Sequence, residues 1–160
     1  MKLNLQCGED LRNGYKNINF GPIQGSNNHP GIDFIVGDFR NLSSVISDDS
    51  CEEINFVPVF NIVNPNEVIH VLRHWRDKLS NRGVLKIHMV DIRLLSGLIY
   101  DGDIELNQIH KLIFGSQQPH QNVMDLKNIK QALESNGYQI ESINIANDFM
   151  LRIECYAIKE

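Results

Sequence analysis

"EINFVPVFNIVNPNEVIHVLRHWRDKLSNRGVLKIHMV", residues 53–90, contains two strand-like runs with a helix-like run between them. The first run (Glu53–Phe60) and the last (Gly83–Val90) are rich in β-branched and aromatic residues and have the length of a strand. The order strand, helix, strand indicates inner parallel strands of an α/β protein.

The helix-like run carries start and stop signals of its own. Asn64 is predicted as the N-cap, Pro65 suits the first helical position, and Glu67 completes a capping box. Apolar residues recur at helical spacing on one face: Val68, Val71, Leu72, Trp75 and Leu79. The tripeptide Asn81-Arg82-Gly83 ends the helix.

Strand-like and helix-like segments alternate along the rest of the chain. We predict strands at residues 2–5, 16–20, 32–37, 138–145 and 149–158, and a helix in "LKNIKQALES" that Asn136-Gly137 ends. The last two strands, joined by the short turn 146–148, form an antiparallel hairpin. We therefore predict a doubly wound, mostly parallel α/β sheet with a C-terminal antiparallel hairpin, built by a single domain over residues 1–160.

Composition and charge limit the partners and the cell compartment. The net charge of −5 comes with no basic stripe, which disfavours a nucleic-acid partner. The cysteines Cys7, Cys51 and Cys155 are odd in number and form no CxxC pair, so we expect neither disulfides nor a metal site and predict a reducing, cytoplasmic setting. No secretory signal or membrane-length apolar run is seen, so we expect a soluble protein. The apolar last strand leaves pairing into a homo-oligomer open.

The order of several segments carries a family resemblance. "LNLQCGEDLRNGYKNINF", "GDFRNLSSVISDDSCEEINF", "SNRGVLKIHMVDIRLL", "IHKLIFG" and "LKNIKQALESNGYQIESINI" together resemble a compact branch of the class I S-adenosylmethionine-dependent methyltransferases. The resemblance spans nearly the whole chain. It implies a Rossmann-like methyltransferase fold, S-adenosylmethionine as cofactor, and methyl transfer to an unidentified small molecule or protein.

The resemblance implies that the turn after the first strand lies beneath the methionine part of the cofactor. Gln6 stands where the family has a glycine, Cys7 follows it, and Gly8 is retained. Asn19 stands where the family has an acidic residue on the ribose, and it offers one acceptor oxygen instead of two. Taken singly, Gly8 is better explained as an ordinary turn residue and Asn19 as an ordinary turn asparagine, and only the order and spacing of the segments favour a site.

The resemblance assigns the adenine side to residues after the third strand. Asp38 corresponds to the acceptor for the adenine amine, and Phe39 lies beside it to pack on the ring. The alternative for Asp38 is a cap on the following turn. Phe60, at the carboxyl end of an inner strand, is expected in the crevice, where it either stacks on a ligand or fills an empty site.

Catalytic residues are not identifiable from the sequence. His70 and His74 are interpreted as surface residues, because no third ligand lies at zinc spacing. His88 is either a core residue or faces the site, and His110 and His120 are the first candidates for a general base. Two functions therefore remain: a methyltransferase, or a degenerate methyltransferase-like domain that serves as a binding or structural module, its crevice plugged by Gln6 and Phe60.

Overall fold

The computed structural model describes residues 1–22, 31–115 and 119–159 of the chain. The strands are β1 (Lys2–Leu5), β2 (Lys16–Asn19), β3 (Asp33–Val36), β4 (Cys51–Val59), β5 (Leu79–Met89), β6 (Tyr138–Ile145) and β7 (Leu151–Ala157). The helices are α1 (Val68–Lys78), α2 (Ile92–Asp101), α3 (Leu106–Phe114) and α4 (Leu126–Ser135), and a short 3-10 helix covers Phe60–Ile62.

All seven strands belong to one sheet in the order β3-β2-β1-β4-β5-β7-β6. The five strands from β3 to β5 are parallel, and β7 pairs antiparallel with both β5 and β6. The chain winds outward from β1 in both directions, so the carboxyl ends of β1 and β4 lie side by side at the switch point. The predicted mostly parallel α/β sheet with a C-terminal antiparallel hairpin is confirmed.

The core lies on one face of this sheet. The register places Leu3, Ile54, Leu85 and Cys155 in one row across four strands, and all four side chains are fully buried. Helices α1 and α4 cover this face with apolar side chains at helical spacing: Val68, Val71, Leu72, Trp75, Ile129 and Leu133. This burial of one helix stripe against a β-branched and aromatic sheet face supplies the main folding force.

Helix α1 begins later than its sequence signals predict. Asn64 is not the N-cap: its side chain accepts a hydrogen bond from Asn66 N at 3.0 Å, and its carbonyl accepts one from Glu67 N at 2.8 Å. These bonds close a separate turn, and the helix starts at Val68. It ends at Lys78, because Leu79 becomes extended and pairs with Cys51 in the sheet, so β5 begins four residues earlier than predicted.

The opposite face of the sheet is polar. Asn4 Nδ2 donates to Asn17 Oδ1 at 3.0 Å, and Asn55 Nδ2 donates to Asn4 Oδ1 at 2.8 Å, forming a buried amide ladder across β2, β1 and β4. Within the described chain, the β1–β2 and β3–β4 connections contain turns and no helix. The β1–β2 turn covers the ladder, since Asn4 Nδ2 also donates to Asp10 O at 2.6 Å.

The amide ladder continues into an ion pair. Tyr15 Oη donates to Glu53 Oε1 at 2.5 Å, and Lys86 Nζ lies 3.2 Å from Glu53 Oε2. Burial of Glu53 acts to raise its pKa, but the Tyr15 hydroxyl and the Lys86 ammonium outweigh burial and hold the pKa below its ordinary value. Among the described residues, the buried side chains Asn4, Asn17, Glu53 and Asn55 each thus meet a polar partner, which is the condition for burying polar residues without a covering helix.

Candidate functional site

A crevice of about 880 Å³ opens at the carboxyl ends of the parallel strands. Its floor is formed by the turn after β1, the last residues of β4 and Val90 after β5. One wall comes from α3 and His120, and the other comes from the β6–β7 turn, residues 148–150. Ligands of doubly wound folds bind at this position, outside the strand ends at the switch point.

The turn after β1 contains two residues with left-handed backbone, and it leaves space for close approach of a ligand. Gln6 has φ +50° and Gly8 has φ +51°, both in the left-handed region. A Cβ on Gly8 would meet no described atom within 4 Å, so the space above the turn is open. Strained backbone of this kind persists where surrounding structure holds it and occurs often at functional sites.

The Gln6 side chain divides the space above the strands into two cavities. Its Oε1 accepts a hydrogen bond from Phe20 N at 2.7 Å, which ties the end of β1 to the residue after β2. Gln6 lines both the large crevice and a smaller cavity of about 330 Å³, which Phe39, Arg40 and Ile62 also line. Ile62 also lines both cavities, so a ligand that spans them passes between or over Gln6 and Ile62.

Asn19 lines the large crevice at the end of β2. Its Nδ2 donates to Gly21 O at 2.9 Å, which orients the amide within the turn. The amide oxygen accepts no hydrogen bond from the described residues. That oxygen is the group that the sequence predicts for a ribose hydroxyl.

Asp38 is held by Arg40. Arg40 Nε lies 3.0 Å from Asp38 Oδ1, and Arg40 Nη2 lies 2.8 Å from Asp38 Oδ2. The hydrogen bonds from the Arg40 side chain lower the pKa of Asp38 despite partial burial of the carboxylate. Phe39 packs in the core, with its ring centroid 5.1 Å from that of Phe56, and also borders the smaller cavity. Asp38 itself lines neither cavity, and an adenine amine that reached it would have to share the carboxylate with Arg40.

The position expected for Phe60 is wrong. Its side chain is fully buried, with ring centroids 6.1 Å from Phe56 and 6.0 Å from Trp75, and it does not line either cavity. The physical reason is the 3-10 helix at Phe60–Ile62, which turns the chain at the strand end and directs the ring into the core. The crevice is therefore not plugged by this aromatic side chain.

The histidines differ in position. His120 is half-buried in the crevice wall, whereas His110 is exposed on α3, where it packs against Phe114 with ring centroids 4.9 Å apart. His88 is half-buried on the polar sheet face, where burial and then Arg152 lower its pKa. Of the two predicted base candidates, the structure brings only His120 to the crevice.

The surface interpretation of His74 is wrong. Its Nε2 accepts a hydrogen bond from Leu42 N at 2.7 Å, and its ring is half-buried. Burial, followed by the charges of Lys78 and His70, lowers the pKa of His74, which keeps the accepting form neutral. His74 thus anchors the segment between β3 and β4 to α1.

The crevice residues on α3 and on the β6–β7 turn are not predicted by the sequence. Gln108, Lys111 and Leu112 share one face of α3 and line the crevice. Their i, i+3, i+4 spacing indicates that they share one face of a helix. Nothing in the sequence predicts that this helix lies above the strand ends. Phe149, also in the lining, has φ +63°, a conformation that phenylalanine rarely adopts.

The cysteines and the acidic residues provide no reactive or metal centre in the described part of the chain. Cys7, Cys51 and Cys155 are buried, and burial raises their pKa values to about 11, about 11 and about 12, respectively. No cluster of three His, Cys, Asp or Glu residues among the described ones is placed to hold a metal ion. No helix in these described ranges is long and apolar enough to cross a membrane.

This chain is similar to known proteins in its structure and not in its sequence. No family model and no curated protein sequence matches this chain. Among solved structures, a Pyrococcus horikoshii protein is 20% identical, with a TM-score of 0.69 over 98% of this chain and 81% of its own. An S-adenosylmethionine-dependent methyltransferase from Mesorhizobium loti is 13% identical, with a TM-score of 0.67 over 96% of this chain and 89% of its own.

A third similar structure agrees in length as well as in fold. A methyltransferase of the same cofactor dependence from Methanosarcina mazei is 11% identical, with a TM-score of 0.66 over 99% of this chain and 92% of its own. Identities this low establish the arrangement of the chain and not its chemistry. The sheet order, the crevice at the switch point and these structures together show that the chain has the class I S-adenosylmethionine-dependent methyltransferase fold.

Proposed function

We propose that the crevice binds S-adenosylmethionine and that the chain is a methyltransferase that uses it. The observation that carries this proposal is the open crevice of about 880 Å³ at the carboxyl ends of β1 and β4. Its volume lies in the range of small-molecule sites. The buried position of Phe60 supports the proposal, because the residue expected to fill the crevice leaves it free.

Residues around both cavities fit parts of the cofactor. The open space above Gly8 suits the methionine part, and the amide oxygen of Asn19 suits one ribose hydroxyl. Phe39 and Arg40 line the smaller cavity, where the adenine would lie, and Asp38 is connected to this cavity only through its ion pair with Arg40. We expect Gln6 to turn away from Phe20 when both cavities are filled.

The bound cofactor supplies a methyl group on a positively charged sulfur. The chain contributes position and a proton acceptor, which is what an in-line displacement requires of a protein. His120 is the titratable crevice group best suited to take a proton, because burial lowers its pKa and keeps the ring neutral.

A second function is favoured by two contacts that close the cofactor path. The Gln6–Phe20 hydrogen bond separates the cavities, and the Asp38–Arg40 ion pair occupies the predicted adenine acceptor. A degenerate domain that serves as a binding module would keep both contacts permanently. In a methyltransferase both contacts would break or rearrange when the cofactor binds, whereas in a binding module they would persist.

Isothermal titration with S-adenosylmethionine and with S-adenosylhomocysteine tests the proposal. A methyltransferase binds both at micromolar levels, and Asp38→Ala weakens binding whereas Asp33→Ala, on β3 away from both cavities, does not. Ligand at 100 times its Kd adds about 2.7 kcal/mol of stability, a rise in Tm of about 5–11 °C for a chain of this size. No heat and no change in Tm at millimolar ligand would support the module instead.

A further inference from the structure

Helix α3 presents a polar face to the crevice without being part of the core. None of its residues is buried, although Gln108, Lys111 and Leu112 line the cavity. A capping box between Glu105 and Gln108 holds the start of the helix, and Gly115 N donates to Lys111 O at 2.9 Å at its end. The helix thus forms a wall of the crevice, and its inner side chains have no structural role in the core.

Lys111 is the only cation among the described residues that line the crevice. No carboxylate in the described ranges lies within 4 Å of its ammonium group. Of the three acidic residues in the same lining, Asp10 is paired with Arg12 at 2.9 Å and Asp148 with Arg152 at 3.6 Å, and Glu9 forms no ion pair with a described residue. Lys111 is therefore available to an anion that enters the crevice.

His120 stands on the same wall in a defined orientation. Its backbone N donates to Phe114 O at 3.3 Å, which fastens the residue to the end of α3. Burial lowers the pKa of His120, and hydrogen bonding to the carbonyls of Leu112 and Ile113 opposes that effect in part. In the neutral ring one nitrogen carries a hydrogen and the other keeps a lone pair that can accept a proton.

The remaining lining combines polar side chains with an apolar surface. In the apolar part, Val57, Val59 and Val90 form the floor, and Phe149 and Met150 form the opposite wall. This part accommodates a flat hydrocarbon body. On the facing wall, the Lys111 ammonium and the His120 ring then orient a ligand that has such a hydrocarbon body.

On the basis of the proposed function, we propose that the methyl acceptor is a small hydroxylated carboxylic acid, with its carboxylate on Lys111 and its hydroxyl beside His120. The acceptor oxygen forms a bond to the methyl carbon supplied by the cofactor, and the bond from that carbon to sulfur breaks with its electron pair left on sulfur. The hydroxyl proton moves to His120. A hydroxyl needs this acceptor because it is a weak nucleophile while protonated.

The carboxylate part is tested by binding alone, without cofactor. The probe is 4-hydroxybenzoate, and 4-hydroxybenzamide is its uncharged match, both titrated by calorimetry. We expect the acid to bind at least tenfold more tightly than the amide, this preference to vanish in Lys111→Gln, and to persist in Lys130→Gln, a lysine of α4 outside the crevice. Equal affinity of the two probes, no binding of the acid at millimolar concentration, or an unchanged preference in Lys111→Gln overturns it.

The proton-acceptor part is tested by turnover of the same probe. His120→Asn is expected to lower kcat for 4-hydroxybenzoate at least tenfold while its Kd stays within twofold of the wild-type value. Unchanged kcat, or absence of methylated product from a chain that binds both the acid and the cofactor, overturns this part. Titration with S-adenosylmethionine is independent of the acid, so failure of the cofactor proposal is distinguished from failure of the acceptor proposal.

Discussion

Replacing Gln6 tests whether its side chain separates two halves of one ligand site. If Gln6 stands in the path of the ligand, the Phe20 N to Gln6 Oε1 hydrogen bond of 2.7 Å breaks when a ligand fills both cavities. A neutral hydrogen bond contributes about 0.5–1.5 kcal/mol net, so its prior removal should tighten binding roughly twofold to thirteenfold. We expect this gain for S-adenosylmethionine in both Gln6→Gly and Gln6→Ala.

The two variants should differ in stability and not in affinity. Gln6 has φ +50°, a conformation that costs a residue with a Cβ about 1–2 kcal/mol and that glycine adopts freely. Gln6→Gly therefore offsets the lost hydrogen bond, whereas Gln6→Ala keeps the strain and should lose about 1 kcal/mol, or about 2–4 °C in Tm. Calorimetric titration gives the affinities, and the fluorescence of the single tryptophan, Trp75, which is fully buried, reports unfolding.

Gln6→Glu is the matched control, since it keeps an acceptor oxygen for Phe20 N and should retain the wild-type affinity or weaken it. Cofactor affinities of Gln6→Gly and Gln6→Ala equal to that of the wild type would refute the reasoning, because they would show that the side chain does not stand in the path of the ligand. A gain in Gln6→Gly alone would assign the effect to backbone strain instead.

Three further predictions concern the polar contacts that the fold depends on. Asn4→Leu should lower the free energy of unfolding by about 3 kcal/mol, because it leaves the buried Asn55 amide and the Asp10 carbonyl without partners. Urea unfolding measures this loss. A loss below about 1 kcal/mol would contradict a stabilising role of the amide ladder. The lowered pKa of His74 means that its contribution to stability is complete above about pH 6.5 and is lost as the pH falls through the folded-state pKa. His74→Gln should therefore reduce the slope of stability against pH below about 6.5, with a residual slope from the half-buried His88 and His120, whose pKa values are also lowered. An unchanged slope argues against the Leu42 contact. Arg40→Gln should raise the pKa of Asp38 toward its ordinary value, followed by NMR titration, at a stability cost of at most about 1 kcal/mol for so exposed a pair.

Local patterns were enough for the elements and their class. The strand, helix, strand order at residues 53–90 predicts the parallel centre of the sheet, because periodicity and strand-length apolar runs are properties of neighbouring residues. The turn at Asn136-Gly137 and the alternation in 138–158 likewise predict the helix end and the hairpin. The predicted N-cap at Asn64 was wrong. Asparagine side chains cap both helices and turns, and here the Asn64 side chain closes a turn that precedes the helix.

The site depended on contacts between residues far apart in the chain. Gln6 meets Phe20, His74 meets Leu42, and Lys111 and His120 reach the crevice only because α3 lies above the strand ends. Sequence periodicity does not predict these long-range contacts, because they follow from the order of the strands in the sheet and the path of the connections.

The parallel sheet and its terminal hairpin follow from the amino-acid sequence, because short-range hydrophobic patterns dictate helices and strands and their burial. The inward turn of Phe60 and the amide ladder on the sheet face opposite α1 depend on the folded chain. So does the position of Gln6 between two cavities. The direction of a side chain at a strand end is set by the turn that follows it and by the partners it finds there, which lie elsewhere in the chain.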